Sequence, residues 1–122
     1  MVSPHEVCFL LAADGTVLWR DASGTAAALP DSPRRWSAIW RYRAELAEIA
    51  HTHPHGPARF SAEDLSTMAA IDDALGRPLC YAVVTLEKTL RRTVDGGTLE
   101  LLTEPPWAAE IRAASGMHRK GG

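Results

Sequence analysis

The sequence predicts an α/β fold: a single-domain mixed β-sheet flanked by helices. Three observations carry this. The chain has 122 residues, 46% hydrophobic and 23% charged, the size and composition of one globular domain with a core of its own. Strand-like and helix-like stretches alternate along it. Finally, "LCYAVVTL" (79–86) is short, β-branched and almost wholly apolar, as a strand covered on both faces must be.

The elements follow in order. "EVCFLLA" (6–12), the turn "ADG" (13–15) and "TVLWRDA" (16–22) read as a hairpin. Residues 23–33, "SGTAAALPDSP", are small, polar and proline-bearing, hence a loop. A helix is expected over 34–46, starting at Pro33, with Trp36, Ile39, Trp40 and Arg43 at helical spacing and the two tryptophans on its buried stripe. "LAEIAHTH" (46–53) suits a strand, and "PHGPARF" (54–60) must be a loop. Residues 61–76 form a helix capped by Ser61 and ended by Gly76. The strand 79–86 is expected to be central. A second hairpin spans 89–102 around a glycine turn, and an amphipathic helix covers 105–116. The domain is therefore assigned to 1–116, with 117–122 as a flexible tail.

Several classes of function are disfavoured. A net charge of −2, a pI near 6.2 and scattered basic groups such as Arg34/Arg35 and Arg91/Arg92 do not make a nucleic-acid footprint. No apolar run reaches the ~20 residues of a membrane span. The N-terminal "MVSPHEVCFLLAADG" lacks a basic region before its apolar run, so no signal peptide is expected. Cys8 and Cys80 lie in strand-like runs and read as buried, inert thiols in a reducing cytoplasm.

The chemistry concentrates in "AHTHPHGPARFSAEDL" (50–65). In a strand, residues two apart face the same side, so His51 and His53 can aim both imidazoles at one ion. Ser61 and Asp64, three apart, share a face of a helix's first turn. Two imidazoles and one carboxylate leave a fourth tetrahedral position open, as in a catalytic zinc site, and the absence of cysteine speaks against a structural one. The plainer reading is that Ser-x-x-Asp only caps its helix. The two readings are compatible, because a capping serine can still offer its hydroxyl to a ligand.

His51-Thr52-His53-Pro54 followed by Ser61 and Asp64, with seven residues between His53 and Ser61, resembles the JAMM motif of MPN-domain zinc metalloproteases. The resemblance covers residues 6 to about 86 and is looser beyond. It implies an MPN (cytidine-deaminase-like) architecture and cleavage of isopeptide or peptide bonds after the C-terminal tail of ubiquitin-like proteins. It further implies that His51, His53 and Asp64 bind Zn²⁺, that Glu6, 45 residues ahead of His51, is the general base, and that Ser61 steadies the oxyanion. Glu48 is the alternative base, although alternation turns it to the other face; Glu45 and Glu63 are further candidates. His5, His55 and His118 read as bystanders.

Only "MVSPH" precedes Glu6, where relatives carry a helix, and no substrate-gripping insertion is evident between 65 and 86. The chain thus resembles a compact prokaryotic-type member, whose substrate would be a ubiquitin-like conjugate or a small sulfur-carrier protein. No nucleic-acid or membrane partner is expected, and the oligomeric state is left open. The alternatives are a non-catalytic MPN-type scaffold that binds a ubiquitin-like protein or partner subunit, and a different His-x-His hydrolase such as a phosphoesterase, for which further ligands are lacking. The terminal Gly121-Gly122 resembles the tail such enzymes recognise, but is read as part of the flexible end.

Overall fold

The computed structural model describes residues 4–21 and 33–117. Nine elements follow one another: β1 (Cys8–Ala12), β2 (Val17–Asp21), α1 (Pro33–Arg41), β3 (Leu46–Thr52), α2 (Ala62–Leu75), β4 (Cys80–Val84), β5 (Thr89–Arg92), β6 (Thr98–Glu100) and α3 (Pro106–Ser115). The strands make one six-stranded sheet in the order β2-β1-β3-β4-β5-β6. β3 and β4 run parallel, and every other neighbouring pair is antiparallel. The expected mixed sheet with flanking helices is present, with β4 central.

Alternation along the strands sorts the side chains into two layers. Cys8, Leu10, Ile49 and Tyr81 meet Ala38 and Ile39 of α1 and Met68 and Ile71 of α2. Phe9, Leu11, Ala50, Ala82 and Val84 meet Trp107, Ala108 and Ile111 of α3. Each large side chain removed from water in this way contributes ~1.5–3 kcal/mol. β6 lies at the edge, and all three of its residues are exposed.

Local chemistry explains the boundaries. Gly15 takes a φ of 88° in the first hairpin turn, and Gly76 ends α2 at φ 72°, a backbone region that side chains with a Cβ seldom enter. The first helix is shorter than expected and stops at Arg41. Its buried residues are Arg35, Ala38 and Ile39, spaced at i, i+3 and i+4. That face leaves Trp36 half-buried and turns Trp40 outward, 55% exposed, with the Arg43 guanidinium 4.2 Å from its ring. The expectation that both tryptophans are buried is therefore corrected. Neither cysteine is disulfide-bonded: Cys8 is fully buried, which pushes its thiol up to about 11, whereas Cys80 is only half-buried. The loop expected at 23–33 lies almost entirely outside the described residues, as does the tail from His118 to Gly122.

Candidate metal centre

The end of β3 supplies two of the donors. His51 is on the strand face that looks toward α2, and its ring lies 6.2 Å from that of Phe60. His53 stands one residue past the strand but is still held by it, since its N–H donates to the Val84 carbonyl at 2.9 Å. The next donor comes from α2. Ser61 caps the helix in extended conformation, its Oγ accepting from the Asp64 N–H at 3.0 Å, while the Ser61 N–H donates to Asp64 Oδ2 at 2.9 Å. This reciprocal box fixes the carboxylate over the strand end.

The result is a nearly equilateral triangle. His51 Nε2 and His53 Nε2 are 3.0 Å apart, and Asp64 Oδ2 is 3.2 Å from each. Donors on a tetrahedral ion with bonds of ~2.0–2.1 Å are separated by ~3.3 Å, so these residues fit such an ion with little adjustment. The tautomer agrees. His53 Nδ1 lies 3.2 Å from the Pro57 carbonyl, which can only accept, so Nδ1 carries hydrogen and Nε2 can offer a lone pair to the centre. Lone pairs packed this closely repel one another unless a proton or cation lies among them. Asp64 is fully buried, and its Oδ1 has no hydrogen-bond partner.

The electrostatics reflect the same crowding. Burial raises the Asp64 carboxyl, but both imidazoles and the Ser61 N–H outweigh it and hold the group far below the usual carboxylate range. Burial dominates at His51 and lowers its pKa. At His53 the downward pull of burial is exceeded by the Asp64 carboxylate and the Pro57 carbonyl, and the pKa rises.

Glu6 enters from the neighbouring strand. Cys8 pairs with His51 in the β1–β3 register, so two residues earlier Glu6 comes opposite His53. The Thr52 N–H donates to the Val7 carbonyl at 3.0 Å, extending that pairing past the end of β1. Donor atoms of Glu6, His51 and His53 all lie within 4.8 Å of one another. Glu6 is 7% exposed, its Oε1 is buried without a hydrogen bond, and burial is the main cause that lifts its pKa to about 7. A cavity of about 230 Å³ opens on Glu6, His53 and Ser61, walled by Pro54 to Pro57, and one of about 350 Å³ lies on the far side of Ser61 against Arg59 and Phe60.

The structure thus gathers Glu6, His51, His53, Ser61 and Asp64. It does not bring Glu48 to them: that carboxylate takes a two-pronged bond from Arg91, at 2.7 and 2.9 Å, on the opposite face of the sheet. Glu45 and Glu63 are exposed; His55 is exposed as well, although it lines the smaller cavity. Sequence reasoning missed two neighbours. Arg35, taken as one of the scattered basic residues, is buried and bonds Asp21 at 3.0 Å, and its charge draws the Glu6, Cys8 and His51 pKa values downward. Its place at i of the Arg35, Ala38, Ile39 stripe is the signal that could have revealed it. Thr52, between the two histidines, is fully buried and accepts the Val7 N–H at 2.9 Å; nothing local marks it.

Comparison with known proteins agrees with this geometry. The family model described as prokaryotic homologs of the JAB domain matches residues 2–95, a span that includes all five gathered residues and ends in the turn before β6. No curated protein matches the chain. The chain belongs to the prokaryotic homologs of the JAB domain, and is accordingly a JAMM/MPN-domain protein.

Proposed function

We propose that this protein is a zinc-dependent isopeptidase or peptidase that hydrolyses the bond after the C-terminal tail of a ubiquitin-like or sulfur-carrier protein. One observation carries the reading: three donors from two elements, 3.0–3.2 Å apart, beside a buried carboxylate with an unbonded oxygen. The family supports a hydrolase or a scaffold of this type, and it includes metalloisopeptidases. A complete donor set favours the hydrolase.

His51, His53 and Asp64 would hold Zn²⁺. When bound, the ion supplies a Lewis acid that makes water nucleophilic near neutral pH. Glu6 accepts the proton of the attacking water and returns it to the leaving amine, a task suited to a carboxyl poised near neutrality. Ser61 has a divided role. Its oxygen accepts from the Asp64 N–H, so its own O–H remains available to donate to the oxyanion that develops on the scissile carbonyl. The cavity on Glu6, His53 and Ser61 is small, about 230 Å³, which suits a tail of small residues at the reacting carbonyl.

The reading extends to the setting. A reducing cytoplasm is supported by two free thiols, and no helix among the described residues is long and apolar enough to cross a membrane.

The test is metal analysis of untagged protein, paired with a panel of fusions that join ubiquitin-like or sulfur-carrier proteins to a reporter. About one zinc per chain is expected, with cleavage abolished by chelator and by Glu6→Gln. Glu6→Gln protein that cuts as fast as the wild type overturns the assignment of the base. Tight binding of a carrier without metal or turnover establishes the scaffold in place of the enzyme.

A further inference from the structure

Glu6 lies two residues ahead of β1, outside the regular ladder. Something else must hold its backbone, and the structure shows what. On one side, the His5 N–H donates to the Ser115 carbonyl at 2.9 Å, and Ser115 Oγ donates to the His5 carbonyl. On the other, Thr52 Oγ1 accepts the Val7 N–H at 2.9 Å and donates to the same His5 carbonyl at 3.4 Å. The two hydroxyls therefore converge on one carbonyl oxygen and use both of its acceptor positions. The peptide groups flanking Glu6 are held, and its side chain faces the metal centre.

Ser115 is the last residue of α3, which lies beyond the part of the chain that the family model matches. The helix is anchored independently. Trp107, Ala108 and Ile111 pack into the sheet, and Arg112 bonds the Thr85 carbonyl at 2.8 Å and Glu104 at 2.7 Å. Both Ser115 and Thr52 are fully buried, so water does not compete for these bonds.

We infer that Ser115 and Thr52 are positioning residues for Glu6: α3 clamps the peptide on which that carboxylate is carried and so aims it at the site. This rests on Glu6 acting as the base. A carboxylate displaced by about 1 Å can cost up to ~100-fold in rate without any change in the donors of the metal.

Three variants of the full chain test this. Ser115→Ala and Thr52→Val each delete a hydroxyl, whereas Thr52→Ser keeps one. For the first two, kcat is expected to fall ~10- to 100-fold with KM and bound zinc unchanged, and Thr52→Ser should retain most of the wild-type rate. In a Glu6→Gln background neither deletion should lower the residual rate further. Independently of activity, amide exchange at His5 and Val7, whose N–H groups donate to the Ser115 carbonyl and to Thr52 Oγ1, should accelerate while exchange in α2 does not.

Equal losses with and without Glu6, or unchanged exchange at His5 and Val7, overturn the clamp. If Ser115→Ala does not fold, the contrast between Thr52→Val and Thr52→Ser decides the matter. Zinc-bound wild-type protein that cleaves no fusion defeats the enzymatic reading itself; variants that turn over as fast as an active wild type defeat the clamp alone.

Discussion

Ser61 and Asp64 hold each other: each donates its backbone N–H to the other's side chain, at 2.9 and 3.0 Å. A helix cap and a metal-site support are here one structure. Removing the hydroxyl should therefore show in two ways. Ser61→Ala is expected to cost ~1 kcal/mol of stability, because the Asp64 N–H loses its acceptor, and ~100- to 1,000-fold in kcat through loss of the oxyanion donor. Ser61→Gly separates the two, since glycine at this position costs a helix only a few tenths of a kcal/mol. Denaturation midpoints together with kcat check it; Ser61→Gly protein with wild-type kcat would remove the oxyanion role.

Zinc should stabilise the fold through the triangle. A ligand that binds only the native state adds ~2.7 kcal/mol at a hundred times its dissociation constant. Thermal melts of metal-free protein with and without zinc should show a clear rise in Tm. Asp64→Asn should lose most of that rise, because the carboxylate 3.2 Å from both imidazoles becomes neutral. An equal zinc-induced shift in both proteins would place the ion elsewhere.

The metal-free protein should lose stability as pH rises through the range set by Glu6. Its carboxyl has a folded pKa of about 7 against an ordinary 4.5. Below 4.5 both folded and unfolded chains keep the proton, and the group imposes no penalty. Between 4.5 and 7 the unfolded chain releases it while the folded chain retains it, so stability falls and then levels off. At ~1.4 kcal/mol per pH unit the loss comes to about 3 kcal/mol. Urea melts at pH 4.5 and 8 should show this fall in wild-type protein and much less of it in Glu6→Gln. Parallel curves for the two would contradict it.

The Arg35–Asp21 pair should be costly to break and cheap to replace. Both side chains are buried and bonded at 3.0 Å. Asp21→Ala leaves a buried cation without this partner and is expected to cost ~3–5 kcal/mol, whereas Arg35→Met combined with Asp21→Leu should restore most of that. Chemical denaturation of the two singles and the double supplies the cycle. Additive losses would mean that the pair does not act as a unit.

What could be read along the chain depended on range. The strand–helix alternation, the cap at Ser61 and the stop at Gly76 are local signals, carried by neighbours a few residues apart. Trp40 shows how such signals fail. Its spacing suits a buried stripe, yet the stripe that packs is Arg35, Ala38 and Ile39, and the choice between the two is made by the sheet beneath. The clamp of Ser115 on His5 has no local signature at all, since the partners are 110 residues apart.

The sequence by itself determined the donor types, their spacing within β3 and α2, and the order of the elements. Only the tertiary structure decided that the donors meet at 3.0–3.2 Å, that Glu6 comes opposite His53, and that Glu48 is taken up by Arg91. The reason is register. A strand pattern states which side chains share a face, but the pairing of β1 with β3 across some forty residues is set by the summed packing of both layers, and a slip of one residue would turn Glu6 to the other side of the sheet.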